Sequence, residues 1–170
     1  MRFEDALDQL SAGRAPAALT ALGSLVRAYP RAQVFTTTRA QALSTLGRHR
    51  EALAAYQAAV RTWPDDSMLF HDLAVAAGRA GERDEAARAE QAAIALDPRN
   101  AAAHNGLGLL RVDAGNLDAA RQSFEQAVAY DRSSAEYLAN LGNARRASGD
   151  AGRAEESYRE AMRIDPNAAN

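Results

Sequence analysis

Residues 67–100 read SMLFHDLAVAAGRAGERDEAARAEQAAIALDPRN, and this stretch contains two amphipathic segments separated by a glycine. From Phe70 to Ala77 the apolar residues recur at the i, i+3, i+4 and i+7 spacing of one helical face. Gly81 favours the left-handed conformation that ends a helix, and proline lacks the N–H that a helix needs, so Pro98 stops the second segment. The stretch therefore predicts a helical hairpin.

The same arrangement returns every 34 residues along the chain. Three residue types keep this step: glycines at 13, 47, 81, 115 and 149, alanines at 18, 52, 86, 120 and 154, and prolines at 30, 64, 98 and 166. A hairpin of this size cannot bury its apolar face alone, and stacked neighbours complete the core. We therefore predict an all-α fold, an α-solenoid of about five helical hairpins.

Composition limits the possible functions. The 170 residues are 47% apolar and 25% charged, which is typical of a folded chain, and the net charge of −2 favours neither a polyanion nor an anionic membrane. All basic residues are arginine, and cysteine is absent, which excludes disulfides and thiolate chemistry. The start MRFEDALDQL does not resemble a secretory signal, and no apolar run is long enough to span a bilayer. We expect a soluble, cytoplasmic protein, or a periplasmic one if the chain was cut from an exported protein.

The last repeat, AEYLANLGNARRASGDAGRAEESYREAMRIDPNA at 135–168, resembles the tetratricopeptide repeat. That family has the pattern W-x2-L-G-x2-Y…A-x3-F…P. Its positions are occupied here by Leu138, Leu141, Gly142, Arg145, Ala154, Tyr158 and Pro166. The resemblance covers residues 1–170 as a single array of repeats at 1–32, 33–66, 67–100, 101–134 and 135–168. It implies a right-handed superhelix.

Three repeats depart from the pattern. In the first, the apolar face between Phe3 and Leu10 fits only if it is shifted by one residue. In the fourth, Arg132 replaces the proline, which predicts a less sharply fixed turn. In the third, Glu90 stands where an aromatic residue is usual, which predicts a less tightly packed second helix.

Catalytic and metal-binding motifs are not recognisable. His49, His71 and His104 have no paired metal-ligand spacing, and zinc would lack thiolate ligands. The G-x-G at Gly106 and Gly108 lies within a predicted helix and does not follow a strand. Aromatic residues make up only 6% of the chain, which does not favour a base-stacking RNA groove. We predict no catalytic residues, no metal, no cofactor and no nucleic-acid partner.

The family resemblance implies that the first helix of each hairpin lines a concave groove that holds an extended peptide or a helix. Amide side chains can hold the main chain of such a ligand, while apolar side chains form pockets for its side chains. The residues expected to bind are Thr37, Gln41, Met68, His71, Val75, Asn105, Leu109, Asn140, Asn143 and Arg146. Ser44 and Val112 are expected to face the same groove. A lysine-based carboxylate clamp is not predicted, because the chain has no lysine.

Charge is unevenly distributed along the expected groove. The one-residue shift in the first repeat would turn Glu4 and Asp8 into the groove, whereas Arg79, Arg145 and Arg146 lie toward the other end. One hypothesis is a ligand with a basic portion near the first repeat and an acidic portion over the last three. The alternative, which we favour on sequence grounds, is that these charges are simply solvated helix faces.

The segment Thr36–Thr38 and the following Arg39 are unusual within a predicted helix. Threonine weakens a helix without preventing it. Arg39 stands where the other repeats have a buried leucine, and an unpaired buried charge is costly. We expect its guanidinium to extend toward Glu4, Asp5 or Asp8 on the preceding helix.

The sequence thus favours a non-catalytic protein–protein interaction scaffold that binds a peptide segment or helix in its concave groove. One alternative is a regulatory or targeting module of a larger enzyme or assembly. Another is a structural scaffold that forms homo-oligomers through the ends of the array, where Met162 and Ile164 leave a small apolar patch.

Overall fold

The computed structural model describes residues 2–166, and these residues form ten α-helices and no β-strand. The helices are α1 (Phe3–Ser11), α2 (Ala15–Ala28), α3 (Gln33–Thr45), α4 (His49–Thr62), α5 (Ser67–Ala80), α6 (Arg83–Leu96), α7 (Ala101–Asp113), α8 (Leu117–Tyr130), α9 (Ala135–Ala147) and α10 (Ala151–Ile164). We call the odd-numbered helices the first helices and the even-numbered ones the second helices. The all-α solenoid class predicted from the 34-residue period is confirmed.

The chain divides into two compact parts, residues 1–86 and residues 87–170, and the boundary lies within α6. In the N-terminal part α1 packs on α2, α2 on α3, α3 on α4 and α4 on α5. In the C-terminal part α7 packs on α8, α8 on α9 and α9 on α10, and α7 also contacts α9. Within each part, helices therefore pack on their neighbours in chain order, as an α-solenoid requires. That the whole chain is one continuous array stays a prediction.

Recurring residues begin and end the helices. The five glycines of the 34-residue period, Gly81 among them, have φ between 71° and 87°, the left-handed region that suits glycine. α6 ends at Leu96, two residues before Pro98, as predicted. At the start of α5, α7, α8, α9 and α10 a side chain accepts a hydrogen bond from the first turn; these side chains are Asp66, Asn100, Asn116, Ser134 and Asp150. These local signals account for the boundaries at which they occur.

A small residue in the first helix lets the second helix approach closely. A methyl group added at Gly142 would lie 2.6 Å from the Tyr158 ring, and one added at Gly108 would overlap the Phe124 ring. Phe124 is among the largest fully buried side chains of the described residues. The small residues of the period therefore serve packing, as the sequence indicated.

The predicted one-residue shift in the first repeat is wrong. Ala6 is 0% exposed, as is Ala40 one period later, so both occupy the small packing position. Leu7 is 41% exposed and is therefore not part of the core. The unshifted period removes the reason to expect Glu4 and Asp8 in the groove.

The turn at Arg132 is well fixed without a proline. The Asp131 carboxylate accepts hydrogen bonds from the Ser133 amide at 2.9 Å and from the Ser133 hydroxyl at 2.6 Å. These bonds hold the pKa of Asp131 below its ordinary value. Asp97 accepts from the Arg99 amide in the same way one repeat earlier. The expectation of a looser turn is therefore wrong, because the aspartate fixes the turn in both repeats.

Glu90 is well packed in spite of its charge. It is 2% exposed, and its carboxylate lies against Gly106 of α7, where an added methyl group would overlap it. The expectation of loose packing at this position is wrong, since the missing side chain of Gly106 provides the space that Glu90 fills.

Arg39 does not extend toward the acids of α1. It is half-buried on α3, and its Nε lies 3.8 Å from the position that a side chain on Gly23 of α2 would occupy. Within residues 2–166, Nε is buried without a hydrogen-bond partner, and no ion pair joins Arg39 to Glu4, Asp5 or Asp8. The glycine leaves room for the guanidinium beside α2, so the predicted contact is replaced by packing.

Among the described helices, none is both long enough and apolar enough to cross a membrane.

Candidate binding pockets on the first helices

Exposed large apolar side chains occur along the length of the first helices. They are Leu7, Val34, Met68, Val75, Leu109 and Val112. On the described second helices such residues stand only within the last three positions of a helix, as Leu96, Tyr130 and Met162 do. Exposed apolar area that is not needed for the core marks a surface suited to binding.

The N-terminal part has a pocket between α1 and α3, which we call the α1/α3 pocket. Its volume is about 390 Å³. Its lining residues are Leu7, Leu10, Gly13, Ala15, Thr38, Gln41, Ala42, Thr45 and Leu46. Ala42 belongs to the buried cluster of this part, and Leu10 packs against that cluster. The pocket therefore opens directly onto the core and is mostly apolar.

The C-terminal part has a pocket between α7 and α9, which we call the α7/α9 pocket. Its volume is about 140 Å³. Its lining residues are Leu109, Val112, Leu117, Phe124, Asn140, Asn143, Ala144 and Ala147. Phe124 and Ala144 belong to the buried cluster of this part. Its polar lining residues are the two asparagines of α9, whereas those of the α1/α3 pocket are Thr38, Gln41 and Thr45.

The two pockets occupy equivalent positions three 34-residue periods apart. The equivalent pairs are Leu7 and Leu109, Leu10 and Val112, Ala15 and Leu117, Thr38 and Asn140, Gln41 and Asn143, Ala42 and Ala144, and Thr45 and Ala147. The repeat itself therefore creates a pocket between consecutive first helices, and the side chains at these positions set its chemistry.

The same positions are filled differently between α3 and α5. Arg79 Nη1 donates to the Ser44 hydroxyl at 2.8 Å, and Ser44 is 6% exposed. The arginine thus crosses from α5 to α3 and covers a residue that we expected to face the groove. Arg79 occupies the position of Thr45 and Ala147, whose short side chains leave the two pockets open.

Asp72 of α5 is equivalent to Thr38 and Asn140 and is half-buried. Burial raises its pKa, and the nearby His71 lowers that pKa by a smaller amount. The pKa of Tyr56 on α4 is raised mainly by the burial of Tyr56 and, to a smaller extent, by the charge of Asp72. Within residues 2–166 the Asp72 carboxylate has no hydrogen-bond donor and no ion-pair partner.

Hydrogen bonds orient the amides beside the α7/α9 pocket. Asn140 Nδ2 donates to Asn105 Oδ1 at 2.9 Å, and Asn105 Nδ2 donates to Glu136 Oε1 at 3.2 Å. The Tyr158 hydroxyl donates to Asn143 Oδ1 at 2.8 Å. Among the described residues, Asn140 Oδ1 and Asn143 Nδ2 remain available, one as an acceptor and the other as a donor. A peptide main chain offers the complementary N–H and C=O groups.

The structure brings four of the predicted residues to the pockets. Gln41 lines the α1/α3 pocket, and Leu109, Asn140 and Asn143 line the α7/α9 pocket. Their role in binding stays a prediction, as it does for the other predicted residues.

The remaining six predicted residues lie outside the pocket linings. Met68, Val75 and Arg146 are exposed, and His71 is half-buried on α5. Thr37 directs its hydroxyl to the backbone carbonyls of its own helix, so this group is already engaged. Asn105 is 6% exposed, and its side-chain oxygen accepts a hydrogen bond from Asn140.

The sequence analysis missed eight of the nine residues that line the α1/α3 pocket. They are Leu7, Leu10, Gly13, Ala15, Thr38, Ala42, Thr45 and Leu46. The assumed shift of one residue assigned Leu7 to the core. The period alone could have identified it, because Leu7 stands three periods before the predicted Leu109.

Within residues 2–166, no three side chains of histidine, aspartate or glutamate come together in a way that could hold a metal ion.

Comparison with known proteins supports the repeat fold. A family model described as tetratricopeptide repeat matches residues 3–67, 71–122 and 106–169. No curated protein sequence matches the chain.

Three solved structures illustrate the structural similarity. TTC0263, a thermophilic TPR protein from Thermus thermophilus, is 22% identical, with a TM-score of 0.79, over 97% of this chain and 90% of that one. MamA 41-end from Desulfovibrio magneticus RS-1 is 20% identical, with a TM-score of 0.78, over 96% and 92%. YrrB, described as a TPR protein with an unusual peptide-binding site, is 20% identical, with a TM-score of 0.68, over 95% and 84%. At these identities the similarity establishes the fold.

Proposed function

Because the chain belongs to the tetratricopeptide repeat family, we propose that it is a non-catalytic interaction module that binds a peptide segment or a single helix of another protein. The binding surface is the exposed face of its first helices. One observation carries this proposal: pockets recur at equivalent positions of both compact parts, between α1 and α3 and between α7 and α9.

The chemistry of both pockets suits a peptide. Each offers an exposed leucine at the same position, Leu7 in one and Leu109 in the other, and each has an amide beside it, Gln41 or Asn143. Burying an apolar side chain of the ligand yields roughly 25 cal/mol per Å². The amides then hold the main chain, whose polar groups would otherwise lose their hydrogen bonds to water.

The groups that remain available on α9 support the same function. Asn143 is held by Tyr158 with its NH₂ group unengaged, and Asn140 is held by Asn105 with its oxygen unengaged. Such pre-oriented amides lower the entropic cost of binding. YrrB, which has a similar fold, is described as having a peptide-binding site.

A peptide selection with matched variants tests the proposal. The protein would be used to select binders from a randomised peptide library displayed on phage, and the affinity of the binders would be measured by fluorescence anisotropy. The Leu7→Asn/Leu109→Asn variant changes residues that are 41% and 44% exposed in the pockets. The control, Leu96→Asn/Met162→Asn, changes residues that are 41% and 42% exposed on second helices.

We expect the pocket variant to weaken binding at least about tenfold, since each leucine contributes more than about 1 kcal/mol of burial. The control variant should bind as the unmodified protein does. Equal loss in the two variants, or a library that yields no binder, would contradict the proposal.

A further inference from the structure

The carboxyl group of Asp72 is a half-buried charge on the first-helix face of the N-terminal part. Its equivalent positions hold Thr38 and Asn140, which line the α1/α3 and α7/α9 pockets. A neutral residue thus stands at both pockets, whereas α5 carries an acid. Asp72 is therefore a charged side chain at a position that lines a pocket in the two equivalent cases.

The groups around Asp72 do not neutralise it. Arg79, the arginine of the same helix that reaches α3, is directed to the Ser44 hydroxyl. The adjacent His71 favours the ionised form of Asp72. Asp66, at the start of α5, opposes that form. Tyr56 of α4 lies within reach of its charge. Within residues 2–166 no ion pair or hydrogen bond reaches the Asp72 carboxylate.

A carboxylate that is partly removed from water without a partner carries an uncompensated desolvation cost. The raised pKa of Asp72 reflects the same cost. A cationic group brought to the carboxylate would offset this cost and gain an ion pair in a partly desolvated place, where such a pair is stronger than in bulk water.

The apolar α1/α3 pocket lies on the same face of the same compact part. The hydrogen bond from Arg79 to Ser44 joins α3, which forms one wall of the α1/α3 pocket, to α5, which carries Asp72. The face therefore offers one pocket for an apolar side chain and one carboxylate for a cation. This charge complementarity selects one kind of occupant.

We infer that Asp72 recognises a lysine or arginine side chain of the bound peptide segment, which also places an apolar side chain in the α1/α3 pocket. This inference rests on the proposed function, and it specifies the ligand as a basic and apolar segment. On this account Asp72 determines which peptides bind, and the fold does not depend on its charge.

The test compares peptide selections. The same phage-displayed library would be selected separately on the unmodified protein, on Asp72→Asn, on Asp72→Arg, and on Asp8→Asn as a control that removes an exposed acid of α1. Asp72→Asn is isosteric and removes a desolvated charge, so it should fold; thermal unfolding of each variant confirms this. The readouts are the enrichment of each residue type and the affinity of the selected peptides.

We expect lysine or arginine to be enriched by the unmodified protein and by Asp8→Asn. Asp72→Asn should lose this enrichment and bind the basic peptides at least about tenfold more weakly. Asp72→Arg should instead select glutamate or aspartate. Peptides that bind through the leucines of the pockets with no dependence on residue 72 would overturn this inference and leave the proposed function standing. A library that yields no binder to any form would overturn both.

Discussion

The α1/α3 and α7/α9 pockets occupy equivalent positions, yet they differ in size. The first measures about 390 Å³ and the second about 140 Å³. Leu117 stands where the larger pocket has Ala15, and Phe124, which lines the smaller pocket, is equivalent to Leu22 of the N-terminal part. Each change places a larger side chain at the smaller pocket. The period thus determines where a pocket forms, and a few side chains determine what it can hold.

One position of the repeat is occupied by Thr38, Asp72, Gly106 and Asn140 in four successive repeats. Asp72 carries a charge at this position, and Gly106 leaves a space that the buried Glu90 occupies. A threonine, an aspartate, a glycine and an asparagine are thus accommodated by the same backbone. The fold tolerates this variation because the small residues that pack the hairpins stand at other positions of the period.

Among the variants that probe the difference between the two pockets, Phe124→Ala should have the largest effect on stability. The substitution removes the aromatic wall of the α7/α9 pocket and leaves a cavity in the core of the C-terminal part. We expect a loss of about 3–5 kcal/mol in the free energy of unfolding. Urea denaturation followed by circular dichroism measures it. A loss below about 1 kcal/mol would mean that Phe124 does not support the core as described.

A smaller loss is expected for Gly106→Ala. The added methyl group must displace the carboxylate of Glu90, and such overpacking costs about 1–3 kcal/mol. The control is Gly78→Ala in α5, where an added methyl group meets nothing within 4 Å. The control should gain about 0.5–1 kcal/mol from the better helix propensity of alanine. If both variants gained stability, Glu90 would not occupy the place described.

Tyr158→Phe should cost less again. It removes the hydrogen bond to Asn143 Oδ1 while the ring still packs on Gly142. We expect a loss of about 0.5–1.5 kcal/mol in the free energy of unfolding. A selected peptide that contacts Asn143 should also bind more weakly, because the amide is no longer held in place. An unchanged affinity would indicate that the orientation of Asn143 does not matter for binding.

The smallest effect on stability is expected when the charge of Asp72 is removed. Burial raises its pKa above the ordinary value of 3.8, so the folded state holds the proton more tightly than the unfolded state does. The stability that this proton contributes is present at low pH and is lost as the pH rises through the folded-state pKa.

Asp72→Asn should therefore unfold at a slightly higher temperature than the unmodified protein at pH 7. The two melting temperatures should converge below about pH 3, where both states are protonated. Scanning calorimetry across this range checks the sign. A variant that is less stable at pH 7 would show that the charge has a stabilising partner.

The sequence was sufficient for the helices but not for every side chain. The 34-residue period predicted the hairpins, and Gly81 ends its helix in the left-handed conformation that was expected. The error in the first repeat arose because Phe3, Leu7 and Leu10 form an apolar face that resembles a core face. Packing against α2 is decided by the small Ala6 instead, so the larger leucine faces outward.

Contacts between helices were the least predictable features. The bonds from Asn140 to Asn105 and from Arg79 to Ser44 join residues that are 35 positions apart. Their formation depends on the distance between consecutive first helices and on rotamers that the period does not specify. Arg39 illustrates the same point, because the space beside Gly23 is evident only once the helices are placed.

The most direct test of the central claim uses the absence of cysteine from the chain. A single cysteine introduced as Thr45→Cys lies in the α1/α3 pocket, and Ala147→Cys lies at the equivalent position of the α7/α9 pocket. Ala58→Cys places an exposed thiol on the second helix α4 as the control. The measurement is the rate of thiol alkylation with and without a saturating selected peptide. Binding to the first helices predicts slower alkylation in a pocket and an unchanged rate at residue 58. Protection at residue 58 alone, or equal protection at all three positions, would contradict it.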